Sequence, residues 1–101
     1  MIIIERMIQQ IYPEKWAELE MIDKKYNAIE ARLGFPAKKR FTYLTGRHEM
    51  NTLIIERQWE SLAKMEATYE KSMLDPEYQA LQMESASIIK GIHQELYMPR
   101  P

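Results

Sequence analysis

Apolar residues recur along the chain with two different spacings, and these spacings predict strands and helices in a definite order. Ile2 to Gln10 is rich in isoleucine and precedes Tyr12-Pro13, which predicts a strand followed by the start of a helix. The next apolar residues lie three or four positions apart and so share one helix face, and they are Trp16, Leu19, Ile22, Tyr26, Ile29 and Leu33. Gly34 and Pro36 end this predicted helix.

The second half of the chain predicts a hairpin, an interrupted helix and a last strand. Arg40 to Thr45 and Thr52 to Trp59 favour two strands joined by a turn. A helix begins after Ser61, a suitable N-cap, and Asp75-Pro76 interrupts it because proline restricts the preceding residue and aspartate caps the restarted helix. We expect the restarted helix to bury Tyr78, Leu81, Ser85, Ile88 and Ile92. Gln94 to Met98 is the predicted last strand.

The order strand, helix, strand, strand, broken helix, strand predicts the fold class. It is typical of an α+β, ferredoxin-like β-α-β-β-α-β domain with a four-stranded antiparallel sheet. Right-handed connections then place the first and third strands side by side in the centre, with the helices on one sheet face. At 101 residues, the chain is expected to form a single domain.

The first and third strands lack the clean alternation of apolar and polar residues that marks a solvated sheet face. Each strand carries one set of alternate residues that is too apolar for water and too polar for a dry core. We therefore assign these mixed sets to the uncovered sheet face, where a second copy would close a half-wet cavity. The candidate cavity residues are these mixed sets together with one tyrosine of the second strand. They are Ile3, Glu5, Met7, Gln9, Ile54, Glu56, Gln58 and Tyr43.

Glu5 and Glu56 are the candidate catalytic residues. On adjacent central strands, they could project side by side into that cavity. Two crowded carboxylates in a partly apolar site do not both ionise easily, so one of them could serve as an acid or a base. Two alternatives stay open, namely ion pairs with arginines at the dimer interface and simple exposure to solvent.

The histidines do not form a metal-binding pattern. His48 lies in the predicted hairpin turn, and His93 is expected at the end of the last helix. A haem-degrading enzyme would need a histidine on the second helix system, which offers none before His93. Without cysteine and with only three glycines, the chain has no thiolate site and no phosphate-binding loop. We expect neither a metal nor a cofactor.

Charge and hydropathy bear on the partners. A net charge of −1 and an isoelectric point near 6.1 give no basic surface for nucleic acid or an anionic membrane. No segment approaches the roughly 20 apolar residues of a membrane span. We therefore expect neither nucleic acid nor a membrane as partner, and the cysteine-free composition favours a reducing cytoplasm.

Several short motifs resemble the NIPSNAP-like proteins of the dimeric α+β barrel superfamily. They are Glu5 on the first strand, Pro13 at the helix start, and the hairpin segment Gly46 to Asn51. The strongest stretches are Trp59-Glu60-Ser61-Leu62-Ala63 and Asp75-Pro76-Glu77-Tyr78. The resemblance implies one dimeric α+β barrel domain over residues 1–101 and a homodimer. It does not imply one reaction, because that superfamily includes cofactor-free monooxygenases, haem-degrading enzymes, lactone isomerases and stress-response proteins.

Three functions fit these observations. The first is binding of a small, partly apolar ligand in a cavity between the paired sheets of a homodimer. The alternative is a cofactor-free monooxygenase or isomerase acting on an aromatic or polyketide-like substrate. The third is a purely structural interaction module. The sequence leaves open whether the protein is an enzyme.

Overall fold

A computed structural model describes all residues from 1 to 101 and shows an α+β fold with one four-stranded antiparallel sheet. The elements are β1 (Ile3–Ile11), a 3₁₀ turn (Pro13–Lys15), α1 (Trp16–Leu33), β2 (Lys38–Thr42), β3 (Thr52–Trp59), α2 (Leu62–Met73), α3 (Pro76–Ser85) and β4 (Ile89–Tyr97). The strand order is β2-β3-β1-β4, so β1 and β3 lie side by side in the centre. The predicted fold class is confirmed.

Local signals set most helix ends. The Ser61 hydroxyl accepts a hydrogen bond from the Lys64 backbone N–H at 3.0 Å and so caps α2. The Asp75 carboxylate does the same for the Tyr78 N–H at 3.0 Å, which starts α3 directly after the break. Gly34 ends α1 with φ 91°, a left-handed conformation that favours glycine.

The last strand begins earlier than the sequence predicted, at Ile89 instead of Gln94. The predicted placement of Ile88 and Ile92 on a helix is therefore wrong, and His93 lies on β4 opposite Ile8 of β1. Adjacent β-branched residues and Gly91 lower the helix propensity of this segment. The same backbone groups instead form hydrogen bonds with β1 along most of its length.

The core lies between the helices and one face of the sheet, which we call the helix face. An aromatic cluster lies near its centre, where Phe35 packs edge-on against Trp59 and Tyr69 at centroid distances of 5.7 and 5.2 Å. Such edge-to-face pairs add stabilisation beyond the area they bury. Aliphatic residues of α1 and β3, among them Ile22 and Ile55, complete this core.

The two mixed residue sets lie on opposite faces of the sheet. Glu5 is the cross-strand partner of Arg57, and Arg6 is the partner of Glu56. Because cross-strand partners project to the same side, Glu5 lies on the helix face, whereas Glu56 lies on the other face, which we call the outer face. The expectation that Glu5 and Glu56 point into one cavity is wrong, because the β1 residues that we assigned to the uncovered face lie on the helix face.

The outer face carries an apolar row with a charged row beside it. Phe41, Ile54, Ile8 and His93 are successive cross-strand partners on the four strands. In the next row, the Arg6 guanidinium contacts the Glu56 carboxylate at 3.0 Å. Phe41 is 45% exposed, so the helices of this chain leave part of the apolar row uncovered.

None of the helices combines the length and the apolar character that a membrane span requires.

Candidate functional site

A cavity of about 380 Å³ lies between the helices and the helix face of the sheet. Eighteen residues line it, and eleven of them are hydrophobic. Leu19 and Ile22 of α1 face Leu53 and Ile55 of β3 across this space, and Met7 of β1 adds a flexible thioether. The cavity is therefore formed within one chain, on the opposite side of the sheet from the cavity that we predicted.

Three exposed residues mark the mouth of the cavity. Met73 at the end of α2 is 59% exposed, Ile92 on β4 is 54% exposed, and Gln82 on α3 is also exposed. The remaining lining residues are buried or half-buried, and most of them belong to α1, β1 and β3. A small molecule could therefore enter between α2, α3 and β4 and place an apolar body against the sheet.

Tyrosine hydroxyls supply much of the uncharged polarity of the cavity. The hydroxyls of Tyr26 and Ser85 share a hydrogen bond of 2.9 Å. Burial raises the pKa of Tyr78 to about 12 and also raises the pKa of Tyr26. Both phenols consequently stay protonated at neutral pH, where each hydroxyl is able to donate and accept a hydrogen bond.

One wall of the cavity is charged. The Lys38 ammonium contacts Asp23 at 2.7 Å and Glu30 at 3.1 Å, and the second oxygen of Glu30 contacts Arg57 at 2.8 Å. The Arg57 Nε–H also donates to the Pro36 carbonyl oxygen at 3.2 Å. These residues connect α1 with β2 and β3 through a continuous network.

A buried carboxylate lies close to the cavity. Glu5 is 1% exposed, and its oxygens accept hydrogen bonds from Trp59 Nε1 at 2.9 Å, the Tyr69 hydroxyl at 2.6 Å and Gln94 Nε2 at 2.7 Å. Tyr69 lines the cavity and separates it from Glu5, which is not among the lining residues. Burial, followed by the negative charge of Glu5, raises the pKa of Tyr69 above its usual range.

The predicted site residues separate into groups in the structure. Met7 and Gln9 line the cavity, and Ile3 belongs to the packed core beside it. Ile54, Glu56 and Gln58 lie on the outer face instead, where Glu56 forms an ion pair with Arg6 of the same chain.

Tyr43 lies in the hairpin loop, where its hydroxyl accepts a hydrogen bond from the His48 backbone N–H at 2.8 Å. Sequence reasoning missed Tyr69 and Gln94 as partners of Glu5. The one available signal was the position of Tyr69 on the inner face of its predicted helix. No three histidine, cysteine, aspartate or glutamate side chains are grouped so that they could hold a metal ion.

One protein family matches almost the whole chain. The NIPSNAP family model matches residues 7–101, a segment that includes every residue lining the cavity. The chain belongs to the NIPSNAP family. The same segment also contains Trp59, Tyr69 and Gln94, the three donors around Glu5. Among curated proteins, no match to this NIPSNAP chain was found.

Solved structures share the fold of this NIPSNAP protein. A NIPSNAP family protein from Agrobacterium tumefaciens is 22% identical with a TM-score of 0.81, over 98% of this chain and 86% of that one. A NIPSNAP domain protein from Burkholderia xenovorans is 16% identical with a TM-score of 0.83, over 97% and 94%. SnoaB, a cofactor-independent oxygenase from Streptomyces nogalater, is 15% identical with a TM-score of 0.70, over 99% and 94%. At these identities the likeness shows the fold alone.

Proposed function

We propose that this NIPSNAP protein binds a small, partly apolar ligand in the cavity between its helices and its sheet. The observation that carries the proposal is the cavity itself, with a volume of about 380 Å³ and eleven hydrophobic residues among its eighteen. Small-molecule sites are typically concave and mostly apolar, with a few polar groups that fix orientation. The hydroxyls of the half-buried Tyr26 and the buried Tyr78 are suited to that second role.

The apolar walls and the polar groups of the cavity would contact different parts of the ligand. The aliphatic side chains of α1 and β3 would contact the body of the ligand, and burial of that body would supply most of the affinity. A hydroxyl or carbonyl on the ligand could reach the Tyr26–Ser85 pair, because both residues line the cavity. A fused two-ring aromatic compound with one polar substituent is therefore a suitable probe.

Blocking the mouth of the cavity tests this proposal. Met73→Trp replaces a flexible thioether at the opening by a bulky ring, at a position exposed enough to accept it without repacking the core. Met83→Trp is the matched control, because Met83 is 80% exposed and does not line the cavity. Isothermal titration with 2-naphthol should show binding to the wild type and the control and much weaker binding to Met73→Trp. Unchanged binding by Met73→Trp would contradict the proposed site.

A cofactor-free oxygenase or isomerase is the second candidate. The shared fold with SnoaB, a cofactor-independent oxygenase, supports it. The chain also provides a buried carboxylate, Glu5, hydrogen-bonded at 2.6 Å to a tyrosine of the cavity wall. Oxygen uptake in the presence of electron-rich phenols tests the oxygenase activity, with Tyr69→Phe as the variant expected to lose it. Binding without uptake would favour a binding protein over an oxygenase.

The proposed functional unit is a homodimer that pairs outer faces. The support is the apolar row of the outer face, in which Phe41 is 45% exposed and Ile54 is half-buried in the single chain. Ile54→Lys puts a charge in the centre of this row, and Met21→Lys is the control because Met21 is 67% exposed on a helix. Light scattering after gel filtration should give twice 12.1 kDa for the wild type and the control, and 12.1 kDa for Ile54→Lys. A wild-type mass of one chain would refute the dimer.

A further inference from the structure

The charged side chains that line the cavity already neutralise one another. They are two carboxylates, Asp23 and Glu30, and two cations, Lys38 and Arg57, so their formal charges sum to zero. Each cation has a carboxylate oxygen within 2.8 Å, and none of the four side chains is more than 13% exposed. A buried network of this kind presents no surplus charge to a molecule that enters.

From this balance we infer that the cavity selects an uncharged ligand, such as a phenol or another neutral aromatic compound, over its anionic or cationic analogues. The inference rests on the proposed ligand-binding function. An anionic ligand would have to take Lys38 or Arg57 away from Glu30, which would leave this buried carboxylate with only one of its two cationic partners and one of its oxygens unpaired. A cationic ligand would have to break the same contacts from the carboxylate side.

Arg57 is further restrained by two neighbours. Its Nε–H donates to the Pro36 carbonyl oxygen at 3.2 Å, and its guanidinium carbon lies 5.1 Å from the ring centre of Phe35. Reorienting the guanidinium toward a ligand would therefore disrupt a hydrogen bond and a cation–π contact as well as the ion pair. A neutral polar group has better partners, because the Tyr26 and Ser85 hydroxyls need no counter-charge.

A set of probes with one ring system and three charges tests the inference on the wild-type protein. At pH 7, 2-naphthol is uncharged, 2-naphthoate is an anion and 2-naphthylmethylamine is a cation. Isothermal titration should show 2-naphthol binding at least about tenfold more tightly than either charged probe, because a charged ligand would lose hydrogen bonds to water without gaining a free counter-ion. Equal or tighter binding of 2-naphthoate would overturn the inference and leave the proposed function intact. If none of the three probes binds, the proposed function fails and the inference falls with it.

A charge variant tests the cause of this selectivity. Glu30→Gln keeps the shape of the side chain but removes the carboxylate that both Lys38 and Arg57 contact. The cavity wall then carries a net positive charge, and the affinity for 2-naphthoate should rise at least about tenfold. Glu77→Gln makes the same change in net charge at a side chain that is 70% exposed and does not line the cavity, so it should leave this affinity unchanged.

Circular dichroism establishes that both variants are folded before the titrations are compared. Similar 2-naphthoate affinities for folded Glu30→Gln and the wild type would contradict charge balance as the origin of the selectivity. If Glu30→Gln does not fold, the three-probe comparison on the wild type still decides the inference.

Discussion

Replacing Glu5 by glutamine should destabilise the protein through its hydrogen bonds alone, because the two side chains have nearly the same shape. One Glu5 oxygen accepts from Trp59, and the other accepts from both Tyr69 and Gln94. A glutamine has one oxygen and one NH₂ group, and the NH₂ group is a donor. Whichever way the amide is turned, at least one existing donor then faces another donor in a site that is 1% exposed.

The magnitude follows from the number of bonds affected. A hydrogen bond to a charged group contributes about 1.5–3 kcal/mol, and a neutral one contributes about 1 kcal/mol. Glu5→Gln removes at least one charged bond and weakens the others, while the loss of a buried charge recovers part of its desolvation cost. We expect the free energy of unfolding to fall by about 2–4 kcal/mol, a large share of the ~5–15 kcal/mol typical of a small domain.

Urea denaturation followed by circular dichroism measures this change, at one fixed protein concentration because a dimer would make stability depend on concentration. Glu84→Gln is the control, since Glu84 is 51% exposed and its contact with Lys25 at 3.4 Å contributes little. A double-mutant cycle with Tyr69→Phe should give a coupling of about 0.5–3 kcal/mol. If Glu5→Gln is within about 0.5 kcal/mol of the wild type, the hydrogen bonds of Glu5 do not stabilise the fold and the reasoning is refuted.

Three further predictions concern a helix cap and two titrating groups. Ser61→Ala should lower the free energy of unfolding by about 1 kcal/mol in urea titrations, because it removes the cap of α2, and an unchanged value would contradict the cap. Hydrogen bonds from Arg32 and the backbone lower the pKa of Asp75 to about 2 from 3.8, so its stabilisation is present above about pH 4 and is lost as the pH falls through 2. Asp75→Ala should therefore be less stable than the wild type at pH 7, and the difference should disappear as the pH falls well below 2; a gap that persists there would refute this. Burial raises the pKa of Tyr78 from 10 to about 12. The stabilisation that the neutral phenol contributes is therefore complete below pH 10 and is lost as the pH rises toward 12. Tyr78→Phe should lose less stability than the wild type over that range, and equal losses would contradict this prediction.

The order of the elements could be predicted because local chemistry determines it. Pro13, Gly34, Ser61 and Asp75 each mark a helix end through their own backbone or side-chain properties. The start of β4 could not be predicted in the same way. Its early residues follow the buried stripe of α3 at helical spacing, and only pairing with β1 determines that they extend.

The face assignment failed for a related reason. β1 carries Ile4 and Ile8 on one side and Ile3 and Ile11 on the other, so alternation alone does not show which side meets the helices. The deciding interaction is the burial of Glu5 against donors that lie far away in the sequence. A glutamate on a strand usually predicts a solvent-exposed position, whereas here three hydrogen-bond donors compensate for the burial of Glu5.

The sequence predicted the mixed apolar and polar lining of the cavity but not its position. Met7 and Gln9 line it as expected, although on the other sheet face. Its charged wall joins Asp23 and Glu30 of α1 to Lys38 of β2 and Arg57 of β3. Nothing in the spacing of these four residues indicates that they meet, because their contacts depend on how α1 crosses the sheet.

The bonds of Glu5 also bear on the kinetics of folding. Its three donors lie 54, 64 and 89 positions further along the chain, in β3, α2 and β4. Contacts of such separation require large loops to close before they contribute, and folding rates fall as the average separation grows. The carboxylate is surrounded only when both ends of the chain have been brought together. Until then it remains hydrated on an unfinished sheet, so the desolvation of this one side chain coincides with the closure of the whole domain.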